Sequence, residues 1–169
     1  WAVTASHDKS ARVWDVASGQ LLTVLRPPQD RGNEGKLFAV ALSPDGAAVA
    51  VGGWTGWDWR GRSSIYEFDR ESGRLTGQIG SLPELVLHLS YSADGRWLVA
   101  RDELKLLSWD ATQTTNLFPS RHIPTDLGAF IPSTDGQHLL TQAGQSIMRW
   151  TFASQSLSKI ETQIETSIS

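Results

Sequence analysis

The chemistry-bearing residues of this 169-residue chain concentrate in one stretch. Trp54, Trp57, Trp59, Arg60 and Arg62 fall within nine residues. Large rigid rings and guanidinium groups at that density have the composition of an interaction hot spot, because each buries much area at low entropic cost. The stretch from Arg26 to Gly35 carries Arg31 and Glu34 and is read as part of the same candidate partner surface. Two other readings stand beside partner binding: the tryptophans pack on Pro27 and Pro28 to stabilise a long loop, or they stack on a base or a sugar. Asp30, Glu34 and Asp58 are the carboxylates nearby, but nothing in their spacing fixes a separation. They read as a solvated rim rather than an acid–base pair.

Elsewhere the sequence offers little reactive chemistry. His7, His88, His122 and His138 show no metal-ligand spacing, and no metal or cofactor is expected. There is no GxSxG elbow, no GxxxxGK[ST] loop and no GxGxxG motif opening a helix; Gly32 and Gly35-Lys36 imitate a phosphate loop only superficially. The absence of cysteine removes thiolate catalysis, disulfides and thiolate-ligated metals. A net charge of -3 supplies no field to gather phosphate backbones or anionic membranes, so neither nucleic acid nor a membrane is expected as partner. No apolar run approaches the ~18 residues of a membrane span. Trp1 reads as the middle of a strand, so the segment is expected to belong to a longer protein; a cytoplasmic location is the expectation.

The elements that must position these residues follow from a repeat. An aromatic ending a short apolar run recurs as Trp14-Asp15, Phe68-Asp69, Trp109-Asp110 and Trp150-Thr151, at intervals of 54, 41 and 41. An Asp-Gly turn recurs at Ser43 to Gly46, Ser92 to Gly95 and Ser133 to Gly136. Turn to aromatic is 15 residues in the last two units and 23 in the earlier one, and the first aromatic-to-turn interval is five residues longer than the other two. A 41-residue unit with two insertions accounts for all the spacings. The insertions are the Arg26–Gly35 and Trp54–Arg62 stretches. Both lie at the same end of the second unit, because in a meander the loop between strands two and three shares an end with the loop entering strand one.

Each unit has strand period and turn chemistry, and no segment keeps helical spacing over three turns. The second unit predicts strands over Lys36 to Leu42, Ala47 to Gly53, Ser63 to Asp69 and Arg74 to Gly80. The third predicts Glu84 to Tyr91, Arg96 to Arg101, Leu104 to Asp110 and Thr115 to Pro119. The fourth predicts Thr125 to Pro132, Gln137 to Gln142, Ser146 to Phe152 and Ser156 to Gln163. Units at 1–26, 36–80, 84–119 and 125–163 therefore make one all-β domain over 1–169. Four-stranded sheets repeated this way bury both faces only by stacking around an axis, as in a β-propeller. Trp14, Phe68, Trp109 and Trp150 are assigned to equivalent third-strand positions in the core between sheets.

The run Ala5-Ser6-His7-Asp8-Lys9-Ser10-Ala11-Arg12-Val13-Trp14-Asp15 resembles the WD40 repeat, almost position for position, and the other units match more loosely. Gly32 through Lys36, the Ser43-Pro44-Asp45-Gly46 turn, Gly53 to Gly56 and Ser64 to Asp69 look particularly like bacterial WD40 proteins, some of which are joined to caspase-like peptidases or other effectors. The resemblance implies a non-catalytic scaffold or sensor propeller that binds other proteins, with further blades or an effector domain as additional partners. An enzyme or ligand binder with a site at the central channel is the alternative. The family's structural hydrogen-bonded set of Asp, Ser or Thr, His and Trp is incomplete. Asp8, Trp14 and either Thr4 or Ser6 supply three members in the first unit, while the fourth offers His122 and Trp150 without the Asp. The first unit lacks its innermost strand, leaving about 3.75 four-stranded blades. The expectation is an open partial propeller; the other possibility is that Ile164 to Ile168 supplies the missing strand and closes a four-bladed ring.

Overall fold

A computed structural model describes residues 1–56, 63–82, 85–102, 106–112, 121–123, 130–143, 145–154 and 156–160. Runs of β-branched and small residues interrupted by Ser, Pro, Asp and Gly fold as short antiparallel strands joined by tight turns. The first sheet comprises β1 (Ala2–Ser6), β2 (Ser10–Trp14) and β3 (Leu21–Leu25). The second contains β4 (Lys36–Leu42), β5 (Ala48–Trp54), β6 (Ser63–Asp69) and β7 (Leu75–Leu82). The third contains β8 (His88–Tyr91), β9 (Trp97–Arg101), β10 (Leu106–Asp110) and β11 (Arg121–Ile123). The fourth contains β12 (Phe130–Pro132), β13 (His138–Ala143), β14 (Ser146–Thr151) and β15 (Ser156–Lys159). Strands follow one another in chain order within every sheet, and no helix occurs among the described residues.

Register confirms the repeat. Phe68 pairs with Val49, Trp109 with Leu98 and Trp150 with Leu139, each next to last in the third strand of its sheet. Trp14, last in β2, pairs with Ala2 of β1, so the first sheet holds the second, third and fourth strands of its unit. The Asp-Gly turns are copies of one another. Ser43, Ser92 and Ser133 donate their hydroxyls to Asp45, Asp94 and Asp135 at 2.5 to 2.6 Å. The same hydroxyls accept the amides of Ala48, Trp97 and His138 at 2.8 to 3.0 Å. These bonds fix the hairpin joining the first and second strands, a local reason why the Ser-x-Asp-Gly signal is so regular.

Three apolar layers lie between successive sheets. Ala11, Val13 and Leu25 meet Val49, Val51, Tyr66 and Phe68. Ala39, Ala50 and Ile65 meet Leu89, Leu98, Leu107 and Trp109. Trp97, Val99 and Leu106 meet Phe130, Leu139 and Trp150, with the rings of Trp97 and Phe152 stacked 5.0 Å apart. The Tyr91 phenol donates to Glu67 at 2.9 Å, tying the third sheet to the second; burial first, and the Glu67 carboxylate second, hold that phenol well above its ordinary range. Each third-strand aromatic thus faces the preceding sheet. Phe68, Trp109 and Trp150 are buried, whereas Trp14 is only half-buried, against the expectation of a uniform core, because among the described residues no sheet packs on that face.

Several strand ends differ from the sequence reading by a few residues, and one strand differs in position. The fourth strand of the third sheet is Arg121–Ile123, paired with β10, and not Thr115 to Pro119, which lies outside the described residues. Pro119 has no N–H to give a ladder, which disfavours the earlier position. His122, offered as a loop residue of the fourth unit, is consequently a strand residue of the third sheet, paired with Leu107. Among the described residues the four sheets form a partial ring, with no ladder between β1–β3 and the fourth sheet. The Ile164 to Ile168 stretch lies outside the described residues.

Candidate functional site

The loop entering β4 and the end of β5 meet, as the shared end of the second sheet requires. The Gly35 amide donates to the Trp54 carbonyl at 2.7 Å, and Lys36 pairs with Trp54 in the ladder. Gly35 sits at φ +94, and a Cβ there would fall 2.7 Å from that of Gln29, so this turn of the loop requires glycine. The Lys36 amide donates to the Asn33 carbonyl at 3.0 Å, and Asp30 Oδ1 accepts the Arg31 amide at 2.7 Å. From the first sheet, Lys9 Nζ donates to the Asp30 carbonyl at 2.6 Å, bracing the loop against the β1–β2 turn. Beyond Trp54, Thr55 is buried and its hydroxyl donates to the Ser64 carbonyl, extending the β5–β6 pairing into the second insertion.

These bonds place the sequence candidates unequally. Trp54 is 40% exposed and Arg31 is exposed on the loop, so both belong to the surface. Glu34 does not: it is buried at 2%, which corrects its reading as a solvated rim residue. The tight Asn33–Gly35 turn carries it inward, a tertiary effect with no local sequence signal. Trp57, Trp59, Arg60 and Arg62, together with Asp58, lie outside the described residues.

Sequence reasoning missed the aromatic residues beside this edge. A Cβ on Gly53 would fall 2.2 Å from the Lys36 carbonyl oxygen, so β4 and β5 approach closely there, and β4 bulges between Leu37 and Ala39. The bulge leaves Phe38 unpaired and 37% exposed, with its ring 4.6 Å from that of His7. His88 at the start of β8 and Phe130 at the start of β12 make another ring contact between successive sheets, also at 4.6 Å. The glycine pair Gly52-Gly53 inside a strand was the available signal. Burial, then the nearby Arg101 cation, hold the His88 imidazole below its ordinary pKa. Asp8 is held far below the carboxylate range by hydrogen bonds from Arg12 and Ser10.

A shallow groove of about 400 Å3 runs over the inner strands, lined by Thr4, Phe38, Val40, His88 and their neighbours. Its lining carries one histidine and no carboxylate among the described residues. Of the WD40-type hydrogen-bonded set, one contact is present in the first sheet: Trp14 Nε1 donates to Thr4 Oγ1 at 3.0 Å. Thr4 is therefore the partner, while Ser6 accepts the Asp8 amide. Val51 and Ala100 occupy the Thr4 position in the second and third sheets, and Trp109 Nε1 finds no acceptor among the described residues.

No family model matches the chain. It is 30% identical over 112 residues to the small ribosomal subunit protein RACK1y of rice, Oryza sativa subsp. japonica, covering 64% of this chain and 28% of that protein. It is 29% identical over 142 residues to the F-box/WD repeat-containing protein 4 of the mouse, Mus musculus, covering 82% of this chain and 33% of that protein. The chain thus spans a third or less of the length of these curated relatives. The 41-residue spacing, the aromatic fixed in the third strand of every sheet and the similarity to these relatives support the WD40 repeat family for the chain.

Proposed function

We propose that the chain is a non-catalytic scaffold or sensor segment that holds a protein partner at the edge where the two insertions of the second sheet meet. The observation that carries this reading is the exposed Trp54 ring at the end of β5, where the Gly35–Trp54 backbone hydrogen bond joins the strand to the loop that bears exposed Arg31. An exposed indole on a hydrogen-bonded strand end loses little backbone entropy on binding, and Trp and Arg are the residue types that dominate interface energetics. Similarity to WD-repeat proteins supports protein binding as the general role. By sequence, Trp57, Trp59, Arg60 and Arg62 extend the same edge, and Glu34 serves beneath it as a buried support. A bacterial, cytoplasmic protein in which this segment sits beside further blades or an effector domain is the setting that fits the resemblance.

Affinity capture on the immobilised chain, followed by titration with the recovered partner, tests the proposal. Trp54→Ala is expected to weaken binding by on the order of thirtyfold, the equivalent of about 2 kcal/mol, with the unfolding midpoint unchanged. Equal affinity of native chain, Trp54→Ala and a Trp57→Ala/Trp59→Ala double variant would overturn it.

A further inference from the structure

In the second, third and fourth sheets the hairpin joining the first two strands carries one dipeptide, as Asp45-Gly46, Asp94-Gly95 and Asp135-Gly136. The glycine is obligatory there, because φ is +73, +72 and +68, and at Gly136 an added Cβ would fall 2.5 Å from the Asp94 carboxyl carbon. Asp-Gly is also the dipeptide whose backbone is least hindered toward a covalent change. The glycine nitrogen attacks the aspartyl carboxyl carbon, an N–C bond forms, and the amide proton leaves with the carboxyl OH as water, giving a five-membered succinimide. Solvent water then opens one of its two carbonyls and yields either aspartate or isoaspartate. Isoaspartate adds one carbon to the main chain inside the hairpin, which disturbs the register of the two strands it joins.

We propose that these three Asp-Gly bonds are latent isomerisation sites, and that the serine of each Ser-x-Asp-Gly turn is a chemical guard holding them against succinimide closure. Each serine engages both reacting groups. Its hydroxyl donates to aspartate Oδ1 at 2.5 to 2.6 Å, and that oxygen also accepts the amide of Ala47, Arg96 or Gln137 at 2.8 to 3.1 Å. The serine carbonyl accepts the glycine amide, at 2.8 Å for Gly46, 2.9 Å for Gly95 and 3.1 Å for Gly136. Turning the carboxyl carbon onto the glycine nitrogen breaks the bonds to Oδ1, and freeing the nitrogen breaks the bond to the carbonyl. The hydroxyl is itself held, because it accepts the amide of Ala48, Trp97 or His138. Closure also needs a protonated carboxyl, whose OH can leave as water. The bonds to Oδ1 favour the ionised form, and Asp45 and Asp135 accordingly lie below the ordinary carboxylate range.

Prolonged incubation at neutral pH, with isoaspartate measured by peptide mapping at each of the three sites, tests this. The native chain is expected to isomerise more slowly than the guanidinium-unfolded chain at every site, by roughly tenfold or more, since hydrogen bonds to a charged group must first break. Ser43→Ala is expected to raise the rate at Asp45 toward the unfolded value. Asp94 and Asp135 keep their native rates in that variant and report global opening within the same molecule. Ser43→Thr retains the hydroxyl and is expected to behave as the native chain, and Ser133→Ala is expected to move the effect to Asp135. Equal rates in the native and unfolded chains overturn the proposal even where no variant folds. So does a Ser43→Ala variant in which Asp45 is unchanged, or one in which all three sites rise together, the mark of lost stability without a guard.

Discussion

What distinguishes the repeats at the residue scale is where one indole N–H goes. Trp14 gives its proton to Thr4, whereas Trp109 is buried at 2% without an acceptor among the described residues, and the second sheet uses Phe68 at the same position. An unpaired buried donor costs what its lost hydration is worth, so the third sheet gains packing from Trp109 but nothing from its nitrogen. Trp109→Ala is expected to cost about 3–5 kcal/mol. Trp109→Phe is expected to cost under about 1.5 kcal/mol, since the smaller ring also removes the unpaired donor. Trp14→Ala, on the uncovered face, is expected to cost clearly less than Trp109→Ala. Urea unfolding of the three variants checks the order. The aromatic positions were legible in sequence because they recur with the repeat. The burial of Glu34 was not, because it depends on a turn packing against another strand.

Turns set the pH response at the scale of elements. Hydrogen bonds from Ser43 and the Ala47 amide hold Asp45 below the ordinary carboxylate range, and those from Ser133 and the Gln137 amide do the same for Asp135. Their stabilising contribution is therefore complete above the unfolded-state pKa of about 4 and is lost as pH falls from there through the depressed folded values. The urea midpoint is expected to fall as the pH drops below about 4, and to fall less in a variant carrying Asp45→Asn and Asp135→Asn. An unchanged acid slope in that variant would show that the loss arises elsewhere. Turn chemistry made these hairpins readable from the chain alone, and strand order with them. Strand ends were less readable. A ladder such as β10–β11 is settled by partners distant in sequence, so Arg121–Ile123 took the place expected for Thr115 to Pro119.

The whole molecule is a series of sheets stabilised through neighbours, and coverage decides local stability. The second sheet is packed on both sides, by the first-sheet residues Ala11, Val13 and Leu25 and by the third-sheet residues Leu89, Leu98 and Trp109. The first sheet is covered on one side and has three strands. Hydrogen exchange is expected to be fastest over residues 1–25 and slowest in β5 and β6; uniform protection would contradict this coverage argument. The three-stranded first sheet was readable from the repeat count, since spacing arithmetic left the first unit one strand short.

The bond from Lys9 Nζ to the Asp30 carbonyl has a mechanical meaning. It is a tether between one sheet and the loop that carries the next sheet's exposed edge, so a tilt of the first sheet pulls on the surface around Arg31 and Trp54. If a partner binds that edge as proposed, the geometry of its binding surface depends on how the first sheet sits against the loop. Lys9→Met cuts the tether without touching either surface side chain. It is expected to weaken partner binding severalfold in the titration that reads Trp54→Ala, and to leave the unfolding midpoint in place.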